Sequence, residues 1–219
     1  MLFNSGKKIR RIVFGILLFG FMLVIIYTYF VIYYPLGHQT TIKKYSEIYG
    51  IDPYLVAAII NVESRYDKNA VSRKEARGLM QISPITGYWA AKELGIEDFS
   101  LDMLFDPEIN IMIGTWYLDV LFQEFDGNLQ LILAAYNAGS GNVYKWLNDK
   151  RYSQDGKTLS NIPFQETREY VDKVHKNIKV YKILYKDKLH NPSYSDDNYF
   201  VVLFINNMRK VIRNFVIYK

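Results

Sequence analysis

With 219 residues, half of them apolar and none of them cysteine, the chain can bury one ordinary core but has no disulfide staple, thiolate zinc site or cysteine nucleophile. Its net charge of +5 is local: Lys7, Lys8, Arg10 and Arg11 precede the first acid, Glu47. Removing those four from 27 basic side chains leaves 23 against 22 acidic ones, so the basic face that nucleic acid requires is missing and no nucleic-acid partner is expected.

After the basic cluster comes "IVFGILLFGFMLVIIYTYFVIYY", residues 12–34, without a charge. At 1.5 Å per residue this run is long enough to cross a hydrocarbon core of roughly 30 Å. It is longer than a signal peptide's apolar region and has no small-residue cleavage site, which favours an uncleaved anchor. Basic residues on the amino-terminal flank place 1–11 in the cytoplasm and everything after residue 35 on the outer side of the membrane. A linker is expected over 35–44, a globular domain over 45–187 and an amphipathic tail over 188–219.

The domain reads as helical, with almost no alternating pattern. Asp52-Pro53, Ser83-Pro84 and Asp106-Pro107 each pair an N-cap with proline at the first helical position, opening helices that run to about Glu63, Gly95 and Phe125. A fourth helix, "LQLILAAY", runs from about 129 and breaks at "NAGSGN"; residues 147–163 are turn-rich; a fifth covers about 166–186. Trp89, Trp116 and Trp146 fall inside helices, where the plain reading is core, and for Trp116 core is the expectation. In the tail, Val201, Phe204, Ile205, Met208, Ile212, Phe215 and Val216 form an apolar stripe beside Arg209, Lys210 and Arg213. That pattern fits a helix packed on the domain or a second membrane contact.

In "LVAAIINVESRYD", residues 55–67, Val56, Ile59 and Ile60 form one apolar stripe, and Glu63 falls on the same stripe. A carboxylate facing a core is costly unless paired, with Arg65 or Arg77 the candidate partners, or unless it is used. Three other helix ends carry polar groups beside apolar runs: Gln81 in "GLMQISP", Tyr136-Asn137 in "AAYNAG", and Glu166 with Tyr170 in "IPFQETREY". Four such ends together can line a cleft. Histidines 38, 175 and 190 are scattered, no HExxH occurs, and neither a metal nor a cofactor is expected.

The series "ESRYDKNAVS", "GLMQISP", "AAYNAGSGNV" and "IPFQETREYV", over roughly 42–186, resembles the catalytic domain of the soluble lytic transglycosylases. The resemblance implies an all-α, goose-type lysozyme-like fold and cleavage of peptidoglycan glycan strands. It implies Glu63 as the catalytic acid, and Ser72, Gln81, Tyr136, Asn137, Glu166 and Tyr170 as groove residues. Glu166 is assigned to orienting the site, through a hydrogen bond to Tyr136 or by ordering its helix start. Where relatives often carry Met, two residues after the glutamine, this chain has Ser83, so the floor of one sugar subsite should be less apolar. A hydrolytic lysozyme on the same fold and a non-catalytic wall-binding module are the rival readings.

Overall fold

The computed structural model describes residues 3–186, 188, 189, 202 and 204–208, with side chains from residue 7 onward. It divides into two compact units, Met1–Pro35 and Leu36–Lys219. The first is one helix, α1 (Phe3–Tyr33). Its stretch Lys7–Tyr33 is, among the described residues, the one helix long and apolar enough to cross a membrane.

The second unit holds α2 (Gln39–Tyr49), α3 (Pro53–Glu63), α4 (Pro84–Leu94), a 3₁₀ turn (Leu101–Phe105), α5 (Pro107–Glu124), α6 (Leu129–Ala138), α7 (Ser140–Leu147) and α8 (Gln165–Leu184). No strand occurs among the described residues; isolated bridges join Val71 to Arg77 and Arg77 to Ile82. The three proline-started helices begin where their caps stand. The Asp52 carboxylate accepts from the Tyr54 amide, Ser83 from Thr86, and Asp106 from Glu108 and Ile109. Three elements are additional to the sequence reading. The first turns of α2 occupy residues assigned to the linker, with Ile42 fully buried. Its cap is His38 in a left-handed conformation, whose side chain makes no capping hydrogen bond to the helix, so no cap motif marks the start. The 3₁₀ turn is too short to show a period, and Gly139 (φ 85°) ends α6 while opening α7, a pivot where a break was expected.

Helix α3 is the centre of the unit. Tyr54 through Asn61 are all buried, so the helix is apolar on every side, as a core helix must be. The amphipathic α8 covers it with Tyr170, Val171, Val174 and Tyr181, and also packs on α6. Two polar contacts fix their register: Asn61 Nδ2 donates to Asn177 Oδ1 at 2.7 Å, and the Tyr54 hydroxyl donates to the Tyr185 carbonyl at 3.0 Å. Truncating a residue such as Ile59 to alanine here would cost about 2–5 kcal/mol. Within the tail, Val202 and Ile205 are buried and Asn206 donates to the Arg65 carbonyl at 3.2 Å, whereas Phe204 and Met208 are exposed. Val201 and all of 209–219 lie outside the described residues.

Trp116 differs from expectation. Trp146 is buried, but Trp116 is half-buried and Trp89 is 40% exposed. Helix α5 lies between α2, α4 and α6, and its Trp116 side meets α4 at the surface and not a fourth wall.

Candidate active site

Glu63 is the last residue of α3, so the core helix delivers a carboxylate to its own exit. The side chain keeps a narrow opening to solvent yet is ringed by protein, and burial pushes its pKa from 4.5 up to about 7. The interaction with Tyr170 opposes that rise, and the nearby negative charge of Glu166 adds to it. Neither arginine candidate neutralises it. Arg77 pairs with Asp102 at 2.8 Å and Glu75 at 3.5 Å, and Glu63 forms no ion pair among the described residues.

Tyr170, on the first turns of α8, is buried and its hydroxyl closes no ideal hydrogen bond; its electrostatic partner is Glu63. Tyr136, on the last turn of α6, is raised well above the ordinary tyrosine value, first by burial and then by Glu63 and Tyr117. Glu63, Tyr136, Tyr170 and Glu166 therefore share one electrostatic neighbourhood. The Tyr136 hydroxyl donates to the Met80 carbonyl at 2.9 Å. That corrects one expectation: the hydroxyl goes to the loop backbone and not to Glu166. Glu166 instead stands in the first turn of α8, where the helix dipole favours a negative charge.

The loop carrying Gln81 is held from behind by Asn110, which the sequence reading missed. Asn110 is fully buried; its Oδ1 accepts the Met80 amide at 2.8 Å, and its Nδ2 donates to the carbonyls of Arg77 at 2.9 Å and Leu104 at 2.8 Å. A Cβ on Gly78 (φ 78°) would collide with that amide and with the Leu104 carbonyl, so glycine is required there. Gln81 itself sits at φ 50° and donates to the carbonyls of Gly78 at 2.9 Å and Ala70 at 3.1 Å.

Two cavities meet at Asn137 and Ala138. One, of about 450 Å³, is lined by Lys74, Asn142, Phe164, Gln165 and Glu166; the other, of about 240 Å³, by Gln81, Ser83, Thr86, Tyr117 and Tyr136. The Asn137 side chain makes no hydrogen bond among the described residues, leaving it free for a ligand in either. Ser83 adds a hydroxyl to the second cavity, hydrogen-bonded to the Thr86 hydroxyl at 2.9 Å. The Ser72 Oγ accepts from the amides of Ala76 at 3.0 Å and Lys74 at 3.1 Å, closing its own turn; like Glu63 and Tyr170 it is not among the residues that line these two cavities.

Residues 40–159 match the model of the Transglycosylase SLT domain. The chain belongs to this family. Glu166 and Tyr170 lie beyond the matched segment of the SLT domain, on the helix that packs over Glu63's own. The chain is 37% identical over 155 residues to the soluble lytic murein transglycosylase of Escherichia coli strain K12, covering 70% of this chain and 23% of that protein. It is 32% identical over 169 residues to the membrane-bound lytic murein transglycosylase C of Edwardsiella ictaluri, covering 64% and 45%. The structure of the 70-kDa soluble lytic transglycosylase from Escherichia coli superposes with a TM-score of 0.62 at 34% identity, over 74% of this chain and 27% of that one. The all-α, lysozyme-like fold is therefore shared, and this chain spans less than half the length of these relatives.

Proposed function

We propose that the chain is a membrane-anchored lytic transglycosylase that cleaves the MurNAc–GlcNAc β-1,4 bond of peptidoglycan glycan strands and leaves 1,6-anhydro-MurNAc ends. The observation that carries the reading is Glu63, a carboxyl with no ion-pair partner among the described residues, whose pKa burial raises to about 7 in the neighbourhood of Tyr136, Tyr170 and Glu166. Names of the relatives supply the substrate class. Glu63, protonated near pH 7, donates its proton to the leaving glycosidic oxygen. The C6 hydroxyl of the same muramic acid residue attacks C1, and the Glu63 carboxylate takes the hydroxyl proton. Bond cleavage and anhydro-bond formation balance without water. Gln81, Tyr136 and Asn137 hold the sugar on one side of the acid, and Glu166 and Tyr170 set the acid's charge state from the other. Ser72 acts through the shape of its loop.

Lys7, Lys8, Arg10 and Arg11 before the apolar α1 support residues 1–11 inside the cell, a span over 12–34 and the catalytic domain, up to about residue 187, on the wall side. Protease added to intact protoplasts should degrade the domain and spare the residues before the span; a shortened domain free in the medium would mean a cleaved signal. The reaction itself is tested by digesting peptidoglycan in oxygen-18 water and reading the products by mass spectrometry. Unlabelled 1,6-anhydro muropeptides are expected. Label at new reducing ends would make the protein a lysozyme, and binding without cleavage a wall-binding module.

A further inference from the structure

An aromatic track leaves the cleft on the α4–α5 side. It begins at Tyr136, whose ring lies 5.5 Å from that of Tyr117, both of them lining the smaller cavity. Tyr117 in turn stands 6.1 Å from Trp89 at an interplanar angle of 82°, and Trp89 meets Trp116 at 4.8 Å and 66°. Trp89 is one helical turn beyond Thr86, the last α4 residue on the cavity wall, so the track is continuous with the cleft. Two steep ring contacts fix the tilt of the Trp89 indole, yet 40% of the residue stays open to solvent. A tryptophan braced on one side and open on the other is a surface prepared for a ligand more than a piece of core.

We propose that Trp89, braced by Trp116 and Tyr117, is an outer sugar-stacking subsite that extends the glycan groove along the α4–α5 seam. The proposal rests on the reading of the protein as a glycan-cleaving enzyme and adds where the strand runs beyond the reacting bond. A pyranose ring presents an apolar C–H face and a polar rim. The track offers the matching surface, with open indole at its end and the paired hydroxyls of Ser83 and Thr86 on the wall of the smaller cavity. Since the platform lies two ring contacts away from Tyr136, it acts on strands long enough to reach it and leaves short fragments untouched. It therefore sets a preference for long strands without entering the chemistry.

The test uses the full chain in detergent, with glycan strands purified from peptidoglycan and sorted by length. On long strands, Trp89→Ala should raise KM about tenfold with kcat unchanged, the size of effect that one aromatic stacking face contributes to a bound ring. On the tetrasaccharide it should change neither constant, and Trp89→Phe should restore most of the long-strand KM. In a Glu63→Gln background, which separates binding from turnover, long strands should perturb indole fluorescence, and Trp89→Phe should remove that signal. Unchanged KM on long strands, or an equal loss on long and short ones, would overturn the platform while leaving cleavage intact. If Trp89→Ala instead dissociates a dimer, or releases the chain from anionic vesicles, with glycan binding unaltered, the face serves a second copy or a membrane and the proposal fails. A chain that neither binds nor cleaves glycans of any length would overturn the catalytic reading itself.

Discussion

Asn110 and Glu63 both place a polar side chain where the helical pattern calls for core, and the structure treats them in opposite ways. Asn110 has every polar atom of its amide hydrogen-bonded, to two backbone groups of the loop that carries Met80 and Gln81 and to one of the 3₁₀ turn. Glu63 has no ion-pair partner among the described residues, and its main neighbours are a buried tyrosine hydroxyl and another acid. A buried polar group that is fully bonded specifies structure. One left short of partners stores its cost as a shifted pKa, and that shift is usable chemistry.

The sharpest way to break this contrast is to remove the two groups in turn. Glu63→Gln keeps size and shape but cannot deliver a proton, so glycan cleavage should fall by about 10²–10⁴ or more, while strand binding stays near normal. Substantial residual cleavage by that variant would remove Glu63 from the role of acid. Asn110→Ala should do the reverse. It strips the Met80 amide and the Leu104 carbonyl of the Asn110 side chain, while the Arg77 carbonyl keeps the Ile82 amide, and should cost about 3 kcal/mol, read as a fall in melting temperature of roughly 6–12 °C, with activity lost in proportion to unfolding. A melting temperature within a degree or two of wild type would show that the loop is held by other contacts.

The same contrast has a pH signature. Below 4.5 the Glu63 carboxyl is protonated in folded and unfolded chains alike, and it contributes nothing. Between 4.5 and about 7 the folded protein keeps a proton that the unfolded chain has released, so stability falls as pH rises through that window. The deficit is complete above 7. Glu63→Gln should therefore be more stable than wild type at pH 8, by roughly 3 kcal/mol, and equally stable at pH 4. Equal melting at both values would mean that burial does not penalise the charge.

Glu166→Gln should be the mildest change. Removing that negative charge eases ionisation of Glu63, so the alkaline limb of the kcat/KM profile should move to lower pH, with the maximum only modestly reduced. A loss as large as that of Glu63→Gln would make Glu166 a second catalytic carboxylate and favour hydrolysis.

Much of this was legible in the sequence, and the reasons divide cleanly. The starts of α3, α4 and α5 could be read because an Asp or Ser followed by Pro is a local signal with a local cause. Glu63 could be read because a charge on an apolar stripe violates a local rule. What escaped were contacts between distant segments. Nothing near Tyr136 shows that its hydroxyl binds a carbonyl 56 residues away, and nothing near Asn110 distinguishes a bonded hub from an ordinary helix asparagine. Ser72 was placed in the groove by resemblance, and nothing in its sequence neighbourhood shows that its Oγ also accepts two amides of its own turn. Trp116 was placed in the core by the apolar character of its helix, but which side of a helix meets a neighbour depends on packing that no single helix encodes.

The central claim is that burial holds Glu63 protonated near neutrality, and its carboxyl can be titrated directly. Carbon-13 resonances of glutamate carboxyls in the wild-type chain, with Glu63 assigned by its disappearance in Glu63→Gln, would give the midpoint for that one group. A midpoint near 7 is the expected result. A midpoint near 4.5 would mean that the acid is ionised at working pH, and would contradict its assignment as the proton donor.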